Sequence, residues 1–250
     1  MSNVFKTEAI IVDSIRWKES SKIVTLFTRE SGIIKVIARG VFKNKSSFSG
    51  KIESLNRIEA IINSRSSRSL QILSEADVMD TFSGIRLDLE RLPYALAILE
   101  LIKQIIRESH PDSVFYDFIV VLLDAIKVAE KPNIIFCYFL IKLVSFLGFK
   151  PNFEYCLSCK QKPASQDVYF SMDNGAIFCN NCSVGAGITR RLKLSEIKIL
   201  KTLQSYPHKK ITSLDLNLSS LQSSINLLID YLNYHTENNI KVKSLSLLIS

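Results

Sequence analysis

The first third of the chain alternates short apolar runs with polar breaks, a pattern typical of β-strands. Five runs rich in Val, Ile and Leu occur at 9–12, 22–27, 33–37, 57–62 and 70–73. Short β-branched runs separated by polar residues predict strands, and Arg-Glu-Ser-Gly at 29–32 predicts a hairpin turn. Five short strands in this space predict a small barrel of the five-stranded oligonucleotide-binding (OB) type. An SH3-like barrel is an alternative that counting strands leaves open.

Beyond residue 80 the hydrophobic period becomes helical. Apolar residues recur every three or four positions around Pro93 and beyond it, at Leu92, Ala95, Leu99, Ile102 and Ile106. This spacing predicts an amphipathic helix with proline in its first turn. Further helices are predicted at 114–128, 134–147, 196–205 (with Ser195 as N-cap) and 218–234. The order of strands and helices predicts an α+β protein, with an N-terminal barrel domain at 1–80 and a helical domain at 81–250.

The run 134–149 is the most apolar in the chain. It contains Lys142 and is shorter than the roughly 18 uninterrupted apolar residues that a membrane span needs. We therefore expect a buried helix with Cys137 in the core, and no association with a membrane. The N-terminus lacks the basic start and apolar run of a secretory leader, so we expect a cytoplasmic protein.

Four cysteines form the strongest motif in the chain. Cys156 and Cys159 are two residues apart, and after nineteen further residues Cys179 and Cys182 repeat that spacing. Two such pairs can supply four thiolates to one tetrahedral Zn²⁺, and a closed shell of this kind is structural. A predicted hairpin at 168–178, turning at 173–175, lies between the pairs. We expect one structural Zn²⁺ per chain in a segment at 152–190, with two disulfides or four unrelated core thiols as the alternative.

Positive charge is concentrated in the predicted barrel. The chain has a net charge of +8, and residues 1–72 contain thirteen Lys or Arg and six Asp or Glu. Trp17, Phe42 and Phe48 lie among these cations. Cations neutralise phosphates and aromatic rings stack on bases, so the combination favours sequence-independent nucleic-acid binding. The predicted contacts are Arg16, Lys18, Lys35, Arg39, Lys43, Lys45, Arg65 and Arg68. The alternative is a solvated loop with Phe42 and Phe48 in the core.

Catalytic signatures are missing from the sequence. It contains neither a P-loop motif nor His-Glu-x-x-His, and no carboxylate pair suggests a general acid and base. Two other DNA-related classes of protein use zinc. A zinc-stabilised, sequence-specific transcription regulator needs a base-reading helix, whereas the basic stretch is predicted as loop and strand. A deaminase needs an open zinc site with His and Glu, which four cysteines do not provide.

The order of these parts resembles the RecO family of bacterial recombination mediators. Residues 19–32 resemble its strand-hairpin signature, and Ala-Arg-Gly at 38–40 with Lys45 and Ser46 resembles its basic loop. Phe-Leu-Gly-Phe-Lys-Pro at 146–151 leads into the first cysteine pair as in that family. Asn174 and Gly175 precede the second pair, and Lys243 and Ser244 resemble the family's C-terminal end.

The resemblance implies an OB-fold DNA-binding domain, a helical bundle and a zinc segment in a protein that is not an enzyme. Such a protein binds single- and double-stranded DNA and anneals complementary strands in the bacterial nucleoid. It also implies cooperation with RecR, with single-stranded DNA-binding protein (SSB) and, indirectly, with the RecA recombinase. The arginines expected for the SSB tail are missing at 134–136, so this site is not assigned to residues.

Overall fold

The computed structural model describes residues 2–65, 67–106, 112–163, 167–214, 216, 220–236 and 239–248. The chain divides into two compact units. The first unit consists of residues 1–129 and 242–250, and the second of residues 130–241.

A closed five-stranded barrel forms the start of the first unit. Its strands are β1 (Ser2–Trp17), β2 (Ser21–Thr28), β3 (Gly32–Ala38), β4 (Arg57–Arg65) and β5 (Gln71–Asp80). They are arranged in the order β1-β2-β3-β5-β4, and the parallel pairing of β3 with β5 completes the barrel. This five-stranded Greek-key arrangement is that of an OB-type barrel. The prediction of an α+β protein that begins with such a barrel is confirmed.

Strand β1 is far longer than its apolar run predicted. Ser2–Ile10 pairs with β4 and Ala9–Trp17 with β2, with a register shift between Ile11 and Asp13. Such an irregularity bends a strand, which lets β1 serve two partners and close the barrel. Strand β5 likewise continues to Asp80, although only Leu73 and Ala76 of it are buried. The exposed positions of both strands mix polar residues with apolar ones such as Val4, Ile15 and Val78, so the alternation that marks a half-buried strand is interrupted in the sequence.

Three helices follow the barrel in the first unit: α1 (Ser83–Arg86), α2 (Leu92–Ile105) and α3 (Ser113–Val128). Helix α3 begins with Asp112 as its N-cap, which accepts a hydrogen bond from the Phe115 N–H at 2.8 Å. Phe27 of β2 packs on Phe115 and Tyr116, with ring centroids 6.1 and 5.4 Å away. Helix α3 therefore covers part of the outer face of β2.

The predicted domain boundary at residue 80 concerns which part of the chain folds independently, and it stays a prediction.

The second unit surrounds a helix that is buried on all sides. Helix α4 (Pro132–Phe146) contacts α5 (Leu194–Ser205) and α6 (Leu221–Thr236). Its residues from Ile134 to Ile141 are all buried, and Cys137 has no exposed surface. The predictions of a buried helix and of a core cysteine are confirmed. Within the described residues, no helix combines the length and the apolarity that crossing a membrane requires.

A small antiparallel sheet completes the second unit, in the order β7-β6-β8. The strands are β6 (Asp167–Ser171), β7 (Ala176–Cys179) and β8 (Thr189–Lys193). Strands β6 and β7 form the predicted hairpin, whereas β8 was not predicted.

The predicted N-cap of α5 is wrong. The helix begins at Leu194 directly after β8, its N-cap is Lys193, and Ser195 lies inside its first turn. Glu196 accepts a hydrogen bond from the Lys193 N–H at 2.7 Å, so this carboxylate satisfies the backbone where the strand becomes a helix. The Ser195 hydroxyl instead lies 2.9 Å from that of Ser220.

Candidate metal centre and nucleic-acid interface

The four cysteines of the spaced motif converge in the second unit. The sulfur atoms of Cys156, Cys159, Cys179 and Cys182 all lie within 4.8 Å of one another. A Zn–S bond of about 2.3 Å implies sulfurs about 3.8 Å apart around a tetrahedral ion. Cys159 Sγ and Cys179 Sγ are 3.9 Å apart, close to that spacing. All four are free thiols, so the structure contains the cluster and not the alternative pair of disulfides.

Two short turns aim the sulfurs at one point. In the first, the Cys156 N–H donates to Gln161 O at 2.9 Å, and the Leu157 N–H attaches the turn to β7 by donating to Ile177 O at 2.8 Å. The second turn is a 3₁₀ segment, Asn180–Cys182, that follows β7 directly. Cys156, Phe178 and Ala186 form a small buried apolar cluster here, with Leu157, Tyr169, Cys179 and Cys182 packed against it. A metal ion bound by the four sulfurs would add a further link between the two turns.

The thiols influence one another's protonation. Burial acts to raise the pKa of Cys156, but backbone N–H groups of Cys179, Cys159 and Ser158 donate to its sulfur and lower the pKa to about 6. The neighbouring Cys179 thiol raises the pKa of Cys182 to about 11. The lowered pKa favours the thiolate form of Cys156, and a bound divalent metal ion would deprotonate the other three thiols.

The donor set fits a closed metal site. All four candidate ligands are sulfur, as in structural sites of the four-cysteine type, and they leave no position for a reacting water. The cluster could hold a metal ion whose chemistry is that of a structural centre.

One group of predicted DNA contacts lies where β1 turns into β2. Arg16 and Lys18 are exposed there, and the exposed Arg39 follows β3. The Val41 N–H donates to Ser20 O at 2.8 Å, which places the start of the 39–56 connection beside this turn. The Arg16 guanidinium carbon lies 4.9 Å from the centroid of the Phe42 ring. The barrel therefore gathers these cations beside an exposed aromatic ring.

The 39–56 connection is a series of turns that Phe48 and Asn56 hold against the barrel. Lys43 and Lys45 are exposed on it, whereas Phe48 inserts into the barrel core. Asn56 donates to the carbonyls of Gly50 and Lys51 at 3.0 and 2.9 Å. One half of the solvated-loop alternative thus holds, because Phe48 is a core residue while Phe42 remains 45% exposed.

The other group of predicted contacts lies at the β4–β5 turn. Arg65 ends β4, Arg68 is half-buried in the turn, and Gln71 donates to Arg68 O at 3.0 Å. Gln71 pairs with Val36 of β3, so this turn adjoins the exposed Lys35. The β1–β2 and β4–β5 loops and the β2–β3 face are where OB barrels bind oligonucleotides. The predicted residues all lie on these parts or on the connection beside them.

Two exposed aromatic residues lie among the predicted DNA contacts. Trp17 and Phe42 are 42% and 45% exposed, and both adjoin the cations of the β1–β2 turn. Composition alone gave no means of telling them from core residues. Lys51, by contrast, belongs to the basic stretch but forms an ion pair with Asp77 at 3.0 Å. We call Arg16, Trp17, Lys18, Arg39, Phe42, Lys43 and Lys45 the barrel surface.

Comparison with known proteins matches nearly the whole length of the chain. Residues 1–82 match the family model described as Recombination protein O N terminal, and residues 86–245 match Recombination protein O C terminal. Three similar proteins are each called DNA repair protein RecO. That of Pelotomaculum thermopropionicum is 30% identical over 242 residues, covering 95% of this chain and 91% of the relative. Those of Prosthecochloris aestuarii and Desulforamulus reducens are each 26% identical, covering 96% and 95% of this chain and 94% and 92% of the relatives.

Proposed function

Because the chain belongs to the recombination protein O family, we propose that it is a DNA repair protein that binds DNA through its N-terminal barrel. It binds single and double strands without reading sequence, and it anneals complementary strands. One observation carries this proposal: exposed cations and aromatic rings collect on the barrel surface, beside the loops that OB barrels use for oligonucleotides.

The chemistry of the barrel surface supports binding that is independent of sequence. Arg39, Lys43 and Lys45 lie on turns, where they can reach phosphates but do not form a helix that could enter a major groove. Trp17 and Phe42 offer faces on which any base can stack. A sequence-specific regulator is therefore not favoured.

Annealing needs no covalent step. Two polyanions must approach, their repulsion must be screened, and their bases must remain accessible. Exposed lysines and arginines screen phosphates, and an ordered scaffold keeps them in place. The protein therefore works as a binding protein and not as an enzyme.

The four cysteines hold one structural Zn²⁺ in this proposal. Four thiolates at this spacing are the usual ligands of a structural zinc ion, and reduced thiols agree with action on the nucleoid in the cytoplasm. Zinc would link the two turns of a segment that has a minimal core. Family membership further supports cooperation with RecR, with SSB and, indirectly, with RecA.

Strand annealing with and without RecR and SSB tests this function. We expect the protein to speed pairing of complementary oligonucleotides, and to bind unrelated sequences with similar affinity in competition. A preference of roughly a thousandfold for one sequence would instead indicate a specific regulator. Folded protein that binds no DNA would exclude the function.

A further inference from the structure

The second unit carries two neighbouring depressions on its surface. A groove of about 630 Å³ lies between the C-terminal half of α5 and the segment 150–154. A smaller hollow of about 260 Å³ lies beside the first cysteine pair, between residues 152 and 160. Asn152 lines both, so the two depressions adjoin, and we call them together the path.

The path is bordered by positive charge. Lys150 and Lys201 line the groove, and Lys160 lines the hollow. Lys142 lies behind the groove and donates to Gln204 O at 2.7 Å. Burial, and after it the positive charge of nearby Lys150, lower the pKa of Lys142.

Acidic side chains neutralise only part of this charge. Residues 189–210 contain seven Lys or Arg and a single acid, Glu196. Glu196 is 5% exposed and caps α5, so it cannot neutralise the surface. Glu154 pairs with Lys201 at 2.7 Å. Among the described residues, Lys150 and Lys160 form no ion pair.

The remaining side chains suit a nucleic-acid strand. Thr202 and Ser205 face the groove, and hydroxyl and amide groups commonly bind phosphate oxygens together with lysines. Lys198 is exposed one helical turn before Lys201, so it extends the cationic edge. Tyr155 is 45% exposed at the hollow, where its ring could stack on a base.

We propose that this path is a second binding surface for a nucleic-acid strand, separate from the barrel surface. The strand track consists of Lys150, Asn152, Tyr155, Lys160, Lys198 and Lys201. It deepens the proposed annealing function and rests on it. One strand binds the barrel and its complement binds the track, so a single chain holds both strands. A strand suits the track better than an acidic peptide because the track pairs an exposed aromatic ring with its cations.

The test counts strands per chain on the full-length protein. Two short, non-complementary single-stranded oligonucleotides, differently labelled, are added to the wild type, and the complexes are measured by native mass spectrometry. The track variant is Lys150→Gln/Lys160→Gln/Lys201→Gln. The control is Lys131→Gln/Lys210→Gln/Lys241→Gln, which removes equal charge from the same unit outside the track. A third variant, Tyr155→Ala, removes the proposed stacking.

We expect two strands per wild-type chain and per control chain, but one per track-variant chain. Lys201 already pairs with Glu154, so the loss of Lys150 and Lys160 dominates this variant. The slope of log affinity against log salt concentration for the second strand should become shallower by about 1.4 units. Tyr155→Ala should weaken second-strand binding by about fivefold or more. Annealing should fall in both the track variant and Tyr155→Ala.

The outcomes separate the two proposals. Wild type that binds no strand would overturn the proposed function itself. Wild type that binds one strand per chain, or a track variant that still binds two, would overturn only the strand track. Two results together would assign the track to an acidic peptide instead. The first is that a glutamate peptide of the same charge as the oligonucleotide displaces the second strand. The second is that Tyr155→Ala binds the second strand as tightly as the wild type does.

Discussion

Phe42 and Phe48 stand six residues apart in the same basic segment, yet they have opposite surroundings. Phe48 is 5% exposed and belongs to the barrel core, whereas Phe42 is 45% exposed beside Arg16. The same residue type therefore serves stability at one position and is available for binding at the other. The two positions form a matched pair for mutation.

Phe48→Ala should lower the free energy of unfolding by about 3–5 kcal/mol because it leaves a cavity in the core. Phe42→Ala should change that free energy by about 0.5 kcal/mol or less while weakening single-strand binding by about 1–3 kcal/mol. Urea denaturation and fluorescence anisotropy measure the two effects. Equal loss of stability in both variants would contradict this division.

Arg39, Lys43 and Lys45 are exposed cations of the barrel surface. Changing all three to alanine should weaken DNA binding, and the loss should be larger at low salt than at high salt. For single strands, the slope of log affinity against log salt concentration should become shallower by roughly two units. The loss should be similar for unrelated sequences, because phosphate contacts carry no base information. Salt titrations of affinity provide the measurement.

The barrel offers a matched control for that variant. Lys6, Lys22 and Lys51 form ion pairs with Glu59, Glu53 and Asp77 at 2.6, 3.0 and 3.0 Å. Changing these three lysines to alanine removes the same charge from the same domain, and we expect a smaller change of slope. If both triple variants have the wild-type slope, the DNA site lies elsewhere.

At the scale of elements, the two cysteine turns are joined by few apolar contacts. Cys156→Ser/Cys159→Ser should lower the zinc content and the melting temperature together, because metal binding and local folding are coupled. Cys137→Ala is the control, since Cys137 lies in α4 and should leave the zinc content at one per chain. Elemental analysis and thermal unfolding measure both. Protein purified without chelator that contains no zinc, with four free thiols at these positions, would refute the assignment.

An ion pair joins the end of β5 to α3. Burial acts to raise the pKa of Asp80, but hydrogen bonds from Lys127 at 2.7 Å and from the Phe82 N–H hold this pKa below its ordinary value. A carboxylate with a lowered pKa in the folded state stabilises the fold above its unfolded pKa, and this contribution is lost as the pH falls through the folded value.

Asp80→Asn should therefore reduce the loss of stability on acidification below about pH 5. Lys127→Gln should have a similar effect, and the double variant should add little, because the two groups act as a pair. Urea denaturation across this pH range provides the test. Additive effects of the two single variants would contradict the pairing.

At the scale of the whole molecule, the barrel and the helices α1–α3 belong to one compact unit. A fragment of residues 1–80 would expose Phe27, which α3 covers in the intact unit. We expect a 1–129 fragment to be more stable than a 1–80 fragment by roughly 1.5–3 kcal/mol, the value of burying one such side chain. Both should keep most of the DNA affinity of the barrel. A folded 1–129 fragment that binds no DNA would place the main site in the second unit.

Sequence alone determined the class of this protein and its clearest motif. The change of hydrophobic period near residue 80 separated barrel from helices, and the paired cysteines indicated a metal cluster. The apolarity of 134–146, which only Lys142 and Ser145 interrupt, indicated a buried helix. Each of these signals is local or depends on fixed spacing, so one-dimensional patterns contain it.

Tertiary structure alone decided which residues meet. The length of β1, the strand β8, the burial of Phe48 and the pairing of Lys51 all depend on partners distant in sequence. The strand track unites Lys150 and Lys160 with Lys201 of another element. Strand register and the choice between core and surface are set by packing of the whole unit. For that reason the sequence predicted which cations were candidates, while the fold determined which of them share a surface.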